Sequence, residues 1–305
     1  MDYRDYERLI KELISKKNSA TESSEKREIE SELRRICYVA NKNLTAWDRV
    51  CIARNKLRPK STDYINNLFS DFIELHGDRC YGDDGAIISG IGMFHNIPVT
   101  VIAQAKGKST EENIKRNFGM SNPEGYRKVM RIAKQAEKFN RPIITFVDTA
   151  GAYPGREAEE RGQAEAIAKC LFEFSSLETV IICVVIGEGG SGGALALSIG
   201  DCVIMLENSI YSILSPEGFS SILWKDETKV KEASEMMKLT ALDLMNKKVV
   251  DEIIKEPFGG AQNNFSEVLK ILDDCIYERL KKLKKVSKNT LISNRYKKYR
   301  NIGVY

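Results

Sequence analysis

Histidine is nearly absent from this sequence, which limits the acid–base chemistry that its side chains can perform. Only His76 and His95 occur among 305 residues. Ser191 lies in GEGGSGG, without the G-x-S-x-G order or a later histidine, so the sequence argues against a serine hydrolase. We expect His95, in the turn MFHNIP, to be exposed and inert, and His76, in ELHGDR, to fix local structure.

Cysteine is dispersed along the chain and has no metal-binding spacing. The seven cysteines lie at positions 37, 51, 80, 170, 183, 202 and 275, and the two closest are 13 positions apart. This spacing excludes a C-x-x-C zinc or redox motif, and we expect no metal on this chain. An odd, scattered set is typical of reduced cysteines in the cytosol, which predicts a cytoplasmic protein.

Long apolar runs and strong net charge are also missing. No run approaches the roughly 20 apolar residues that cross a bilayer, so we expect no membrane association. The start, MDYRDYERLI, carries acids and lacks the apolar segment of a signal peptide. A net charge of +4 is too small by itself to indicate nucleic-acid binding.

The two ends of the chain are rich in charged helical patterns. Residues 1–43 predict a hairpin of two charged helices, which packs on the main body or, as we favour, on a partner. Residues 263–305 predict an amphipathic helix and a basic tail, without one acid between 279 and 300. We favour a solvated tail over a surface that docks an anionic partner or nucleotide phosphates.

The central part, residues 44–262, alternates short β-rich runs with glycine turns and helices. It predicts strands over 97–105, 141–149, 179–186, 201–206 and 249–254. One helix follows SNPEG, with Asn122 as its cap and Pro123 in its first turn. Repeated strand–turn–helix units predict an α/β fold with a parallel sheet and helices outside it.

The stretch GEGGSGGALALSIGD, residues 187–201, is the most unusual feature that is present. It matches G-x-G-x-x-G at Gly187, Gly189 and Gly192, with Glu207 twenty positions after Gly187, as in dinucleotide-binding folds. Two observations argue against that interpretation: the following helix has room for only two turns, and the stretch comes late in the sheet. A nucleotide-binding oxidoreductase therefore stays only as an alternative.

Other charged positions near glycine turns allow two interpretations. Asp148 ends a predicted strand and is either a metal ligand or base or, more commonly, a turn former. Lys106, Lys108, Lys115 and Arg116 either meet an anionic ligand or are solvated, and the sequence does not separate these. Glycine turns with few titratable groups favour a site that uses backbone N–H donors to hold an oxyanion.

Several segments closely resemble one known family, the alpha subunits of the bacterial acetyl-CoA carboxylase carboxyltransferase. The segments include LTAWDRVCIAR, FIELHGDRCYGDD, KRNFGMSNPEGYRKVMRIAKQAEKFNRPIITFVDT, GAYPG, EERGQAEAIA, VIGEGGSGGALAL, YSILSPEGFSSILWKD and EPFGGA. They cover roughly residues 44–262 in order, and NRYKKYRNIG extends the likeness into the tail.

The resemblance implies a crotonase fold, a superhelix of ββα units, and an enzyme of fatty acid biosynthesis. In the family, a carboxyl group moves from carboxybiotin on the biotin carboxyl carrier protein to acetyl-CoA, giving malonyl-CoA. The biotin oxygen that gains charge takes the proton from the acetyl group. The implied partners are biotin carboxylase, in an ATP-dependent holoenzyme, and a zinc-carrying beta subunit in an alpha2beta2 core, without which this chain is inactive.

The resemblance also assigns site residues. The oxyanion-binding amides fall on Gly192 and Gly193, and replacing Gly193 by valine is expected to abolish turnover while assembly survives. Positions assigned to the cofactor pocket are Gly189, Gly190, Gly151, Ala152, Tyr153, Lys106 and Arg116.

Four departures from the family pattern leave alternatives open. Many relatives have GHQKG where this chain has AQAKG at 103–107; Ala150 replaces a proline, Gln262 a histidine, and Phe219 a cysteine. The 103–107 segment ends a predicted strand and faces the predicted site. The alternatives are a carboxyltransferase or decarboxylase for another acyl-CoA, and a non-catalytic subunit that docks the carrier.

Overall fold

The computed structural model describes residues 3–303 as helices arranged around one sheet. The helices are α1 (Tyr3–Ser19), α2 (Ser23–Lys42), α3 (Ala46–Ala53), α4 (Ser61–Leu68), α5 (Thr110–Lys115), α6 (Pro123–Lys138), α7 (Arg156–Glu160), α8 (Gln163–Ser176), α9 (Ser191–Leu195), α10 (Pro216–Trp224), α11 (Val230–Met237), α12 (Ala241–Asn246), α13 (Phe265–Leu283) and α14 (Lys288–Arg300). The strands are β1 (Ser70–Glu74), β2 (Ile87–Phe94), β3 (Ile97–Gln104), β4 (Ile143–Thr149), β5 (Ile181–Gly190), β6 (Cys202–Leu206), β7 (Ile210–Ser212) and β8 (Glu252–Ile254). The predicted α/β class is confirmed.

The sheet is mixed, in the order β1-β2-β3-β4-β5-β6-β8, with β7 paired to the end of β5. Strands β1 to β3 are antiparallel neighbours, whereas β3, β4, β5, β6 and β8 run parallel. Because parallel strands end at the same edge, the residues that follow β3, β4 and β5 meet there. That edge contains most of the residues assigned to the site.

The five predicted strands all exist, and one of them is longer than expected. Strand β5 continues four residues beyond 186, through Gly187, Gly189 and Gly190. Its end is paired on both sides, since Gly189 faces Thr149 of β4 and Tyr211 of β7. These glycines therefore belong to a central strand, whereas the sequence predicted a turn.

The apolar core has two layers, one on each face of the sheet. On one face, strand residues such as Phe146 and Val184 pack with α4 and α13. On the other, residues such as Val147 and Val185 pack with α6 and α8. Strands covered on both faces need apolar residues at successive positions, which explains runs such as TVIICVVI.

The helix α6 begins where the sequence predicts, at Pro123, but its cap differs. Asn122 occupies the cap position without a side-chain cap hydrogen bond. Its Oδ1 instead accepts from Nη2 of Arg161 at 3.3 Å, and its backbone N–H donates to Asp84. A tertiary contact has replaced the local one.

The N-terminal hairpin forms as predicted, from α1 and α2, and its base contacts the main body. Ile10 and Ala40 are buried together with Phe258, which lies after β8. The rings of Tyr6 and Phe258 are 6.5 Å apart, edge to face. The hairpin therefore packs on this chain, and the partner we favoured is not needed to cover its base.

The basic C-terminal segment differs from the solvated tail that we favoured. It forms a second helix, α14, whose Arg295 is buried. All five N–H donors of Arg295 are used: they reach both carboxylate oxygens of Asp201 and the carbonyls of Phe174, Leu177 and Thr179. The density of charge in the sequence does not reveal that one cation of this run, Arg295, attaches α14 to the rest of the chain.

Among the helices of residues 3–303, none combines the length and apolar character that a bilayer span requires. The division of the chain at residues 43 and 262 stays a prediction.

Candidate active site at the end of the central strands

The chain turns sharply from β5 into α9, which leaves the first backbone N–H groups of α9 without acceptors inside the helix. Gly190 is extended, and Ser191 has φ 53°, in the left-handed region that non-glycine residues seldom adopt. The first N–H groups of a helix have no acceptor within the helix, and those of Gly192 and Gly193 are in this position. Helix α9 is only five residues long, so these two donors, more than a long helix dipole, supply the site's positive potential.

The glycines of this turn have different packing requirements. A Cβ at Gly193 would lie 2.5 Å from the backbone nitrogen of Ala152 and 2.7 Å from the carbonyl carbon of Gly151. A Cβ at Gly190 would overlap the carbonyl of Ala150. A Cβ at Gly192 would have only Ile167 Cγ2 near it, at 3.5 Å. Gly190 and Gly193 are therefore needed for close backbone packing, whereas a Cβ at Gly192 would make an ordinary van der Waals contact.

A cavity of about 350 Å³ adjoins this turn. Its lining includes Gly192, Leu195, Tyr211, Ile213, Leu244 and Tyr299, and it is mainly apolar. Burial raises the pKa of Tyr211 to about 12, so this hydroxyl stays neutral. The cavity offers an apolar seat with backbone donors at one side, an arrangement typical of small-molecule sites.

An ion-pair network connects the ends of β4 and β5. Nζ of Lys106 lies 2.9 Å from Oδ1 of Asp148 and 2.6 Å from Oε2 of Glu188. Nε of Arg54 donates to Oε1 of Glu188 at 2.7 Å. Burial by itself would raise the pKa of Glu188, but the charges of Lys106 and Arg54 outweigh it and lower that pKa to about 2. The network fixes the residue that immediately precedes Gly189.

These contacts show how Lys106, Asp148 and Arg116 are held in the structure. The two carboxylates that flank Lys106 outweigh the effect of its burial and raise its pKa, so its charge is held and already compensated. Asp148 accepts the backbone N–H of Glu188 at 3.0 Å, which supports the structural interpretation of this residue. The described hydrogen bonds of Arg116 go to Glu112 and the carbonyl of Gly85, so they do not join it to the glycine turn.

The segment 151–153 lies behind the turn. Gly151 has φ 155°, and its N–H and carbonyl both bond the hydroxyl of Thr149. Tyr153 is held through its backbone, which donates to the carbonyl of Ser121 at 3.0 Å. The structure thus brings Gly151 and Ala152 against Gly193.

Sequence reasoning missed several residues that contact this region. Gln104 donates from Nε2 to the carbonyl of Gly193 at 2.7 Å, and Arg54, directly after α3, donates to Glu188. Tyr299 of α14 lines the cavity. The only sequence signal was the unusual AQAKG segment, which contains Gln104.

The remaining candidates lie outside this arrangement. Nδ1 of His76 is 2.9 Å from Asp83 Oδ2, a local contact, whereas Nε2 of His95 is 2.7 Å from Asp273 Oδ2 and links the β2–β3 hairpin to α13. His95 is in the β2–β3 hairpin turn and is exposed, as predicted. In residues 3–303 no group of three metal-binding side chains occurs.

The dinucleotide-binding alternative does not fit the structure. Gly187 and Gly189 lie within β5, whereas the fingerprint requires glycines in the turn before a long helix. Glu207 is engaged by Lys255 and by the backbone N–H of Glu256. The spacing matches the fingerprint by coincidence.

Comparison with known proteins gives a consistent result. Residues 2–303 match the family model described as acetyl co-enzyme A carboxylase carboxyltransferase-like. The chain is 56% identical over 281 residues to the acetyl-coenzyme A carboxylase carboxyl transferase subunit alpha of Anoxybacillus flavithermus, covering 92% of this chain and 86% of that protein. The subunit of the same name from Oceanobacillus iheyensis is 52% identical over 302 residues, covering 97% and 95%.

Solved structures share the fold at low identity. Transcarboxylase 12S, with methylmalonyl-coenzyme A bound, superposes with a TM-score of 0.55 at 19% identity, over 68% of this chain and 40% of that one. A Pseudomonas malonate decarboxylase hetero-tetramer in complex with coenzyme A gives 0.58 at 13% identity, over 70% and 86%. The predicted crotonase-like fold of carboxyltransferases is confirmed. With the family match over nearly its whole length, the chain belongs to the alpha subunits of acetyl-CoA carboxylase carboxyltransferase.

Proposed function

We propose that this chain transfers a carboxyl group from carboxybiotin, held on a carrier protein, to acetyl-CoA. In this proposal the backbone amides of Gly192 and Gly193 bind an oxygen that gains negative charge during the transfer. The single observation that carries it is the position of Gly192 on the wall of an apolar cavity, where an N–H donor is stronger than in water.

The residues around the turn fit a biotin group. The cavity volume of about 350 Å³ lies within the usual range for small-molecule sites. Apolar side chains such as Leu195, Ile213 and Leu244 match a largely apolar ring system, and the amides match its polar urea group. When bound, carboxybiotin supplies the carboxyl group and an oxygen that becomes more negative.

The chain's own contribution is to orient groups and stabilise charge. Lys106, Asp148 and Glu188 are paired with one another, so we assign them to supporting the strand ends and not to proton transfer. Tyr211 is neutral at physiological pH. Two fixed amides then act on the developing charge without any rearrangement, which is the most effective form of such stabilisation.

We further propose that the site is completed by a beta subunit, which carries zinc and binds acetyl-CoA, in an alpha2beta2 core served by the carrier protein and biotin carboxylase. Apolar side chains near the cavity support a protein partner there. Ile213 is 77% exposed and Leu195 is 38% exposed, and both line the cavity. Exposed apolar surface beside a binding site is typical of an interface.

The test is reconstitution with a beta subunit and measurement of carboxyl transfer between biotin derivatives and several acyl-CoAs. We expect no transfer by this chain alone, and transfer by the complex with acetyl-CoA preferred. Preference for another acyl-CoA would contradict the substrate assignment. Assembly with the carrier but no transfer would favour the carrier-docking alternative.

A pair of variants with the same shape and different charge tests the amide site. Gly192→Asp and Gly192→Asn have the same shape, and a Cβ fits at this position. An acid near the start of a helix does not destabilise the fold. If the amides hold a developing anion, the aspartate complex should have a kcat at least about tenfold below the asparagine complex, because like charges repel strongly in a low-dielectric site. Equal rates would contradict the assignment.

A further inference from the structure

Gln104 contacts the glycine turn from a neighbouring strand. It is the last residue of β3, its side chain is fully buried, and its Nε2 donates to the main-chain oxygen of Gly193 at 2.7 Å. We propose that Gln104 is a positioning residue, which sets the orientation of the Gly192 and Gly193 amides. This inference rests on the function proposed for those amides.

The Gly193 carbonyl needs a donor from outside its helix. In a longer helix it would accept from the backbone N–H of Leu197, four residues on. Here α9 ends at Leu195, and the N–H of Leu197 donates to the carbonyl of Ala194 at 3.1 Å. The amide of Gln104 supplies the missing donor.

Gln104 is well suited to hold this peptide in place. Its backbone is fixed in the sheet by pairing with Ile87 of β2, and its carbonyl accepts from the hydroxyl of Ser61. A side chain on a rigid element places its donor more accurately than one on a loop.

The side-chain amide has one partner that determines its orientation. The Oε1 atom of Gln104 is buried, and the structure gives it no hydrogen bond. The NH₂ group must face the Gly193 carbonyl, because two oxygens there would repel each other. The bond to Gly193 is therefore what orients the amide.

The bond to the Gly193 carbonyl is important because glycine can adopt a wider range of backbone angles than other residues. The N–H and the C=O of Gly193 lie on either side of one α-carbon, and the residue before it is also glycine. Without an anchor, two successive glycine peptides can rotate, which would turn the N–H of Gly192 away from the cavity that this residue lines. Small misplacements of catalytic donors reduce rates steeply.

The test compares three forms of the alpha–beta complex: wild type, Gln104→Met and Gln104→Glu. Methionine keeps the length and removes the donor, so we expect kcat to fall about tenfold while KM for acetyl-CoA changes less than twofold. Glutamate is an acceptor when ionised and a donor when protonated. Burial raises the pKa of a carboxyl group, so more of the carboxyl group introduced at position 104 is protonated as pH falls from 8 to 6. The loss of kcat in the Gln104→Glu complex should therefore become smaller over this pH range.

The pH profile separates positioning from a general loss of stability. The ionisable groups around the turn are common to all three complexes: Lys106, Asp148, Glu188, Arg54 and Tyr126. A pH-dependent deficit in Gln104→Glu, with a pH-independent one in Gln104→Met, therefore reports the donor at residue 104. Unchanged kcat in the methionine variant, or equal pH profiles, would overturn the inference.

The Gly192→Asp and Gly192→Asn pair distinguishes this failure from failure of the proposed function. If that pair shows the charge effect and the Gln104 variants retain full kcat, only the positioning role is wrong. If the pair shows no charge effect, the amide site itself is wrong, whatever the Gln104 variants do.

Discussion

Gly193 packs its α-carbon directly on the backbone of Ala152. A Cβ at position 193 would lie 2.5 Å from the Ala152 nitrogen, closer than real side chains approach. The loop after β4 thus lies against the turn after β5, and this contact shapes the candidate site. The residue before Gly193, Gly192, has no backbone close enough to clash with a Cβ. The same substitution therefore has different consequences at the two positions.

We predict that Gly193→Ala destabilises the protein by about 1–3 kcal/mol, because an added methyl group must displace backbone. Gly192→Ala should be neutral or stabilising by up to about 1 kcal/mol, because alanine favours a helix. Urea denaturation of the two variants measures this difference. Equal stabilities would show that the 151–152 segment moves aside easily.

This contact corrects the expectation for Gly193→Val, which assumed intact assembly. A larger side chain at this position has to move the backbone of Gly151 and Ala152. Loss of activity in that variant would therefore not isolate the amides, which is why the shape-matched pair Gly192→Asp and Gly192→Asn is the sharper experiment.

The buried guanidinium of Arg295 should contribute strongly to stability. We expect Arg295→Ala to cost about 3–5 kcal/mol, since it leaves the buried carboxylate of Asp201 without its partner. Arg300→Ala, on the exposed side of the same helix, should change stability by less than about 0.5 kcal/mol. Denaturant midpoints measure both changes in stability. Similar losses in the two variants would contradict the role of Arg295 in attaching α14 to the rest of the chain.

The lowered pKa of Glu188 leads to a defined pH dependence of the protein's stability. Its pKa lies near 2 in the folded protein, below its usual 4.5, so its ion pairs stabilise the fold fully above about pH 4.5 and lose effect as pH falls toward 2. The stability difference between wild type and Glu188→Gln should therefore be constant from pH 7 to 5. It should then decrease between pH 4.5 and 3.

Urea midpoints at four pH values measure this difference. Glu111→Gln is the control, because the Glu111 carboxylate is exposed and its ion pair is with the exposed Lys115. A wild-type advantage that grew on acidification would have the wrong sign and would contradict the assignment.

Tyr299 should stabilise the segment after α9. Its hydroxyl accepts from the backbone N–H of Gly200 at 2.8 Å and donates to the carbonyl of Ser198 at 2.9 Å. We expect Tyr299→Phe to cost about 1–3 kcal/mol, because it leaves these groups unpaired, and to speed hydrogen exchange at the Gly200 amide. Tyr296→Phe, at a 65% exposed position, should have little effect. Unchanged exchange at Gly200 would contradict this role.

The amino-acid sequence by itself determined the α/β class, the five parallel strands and the family. Apolar runs such as TVIICVVI and the signals at Pro123 are local, so they can be recognised without knowledge of the packing. The glycine turn was also recognisable, since five glycines in seven residues indicate a close approach of backbone.

Only the tertiary structure decided which of those glycines are strand residues, which meet the cavity and which side chains support them. Strand β5 extends to Gly190 because β4 and β7 pair with it there. Gln104 reaches Gly193 across 89 residues of sequence, and Arg295 reaches Asp201 across 94. Such contacts depend on how the layers pack, and neither periodicity nor composition carries that information.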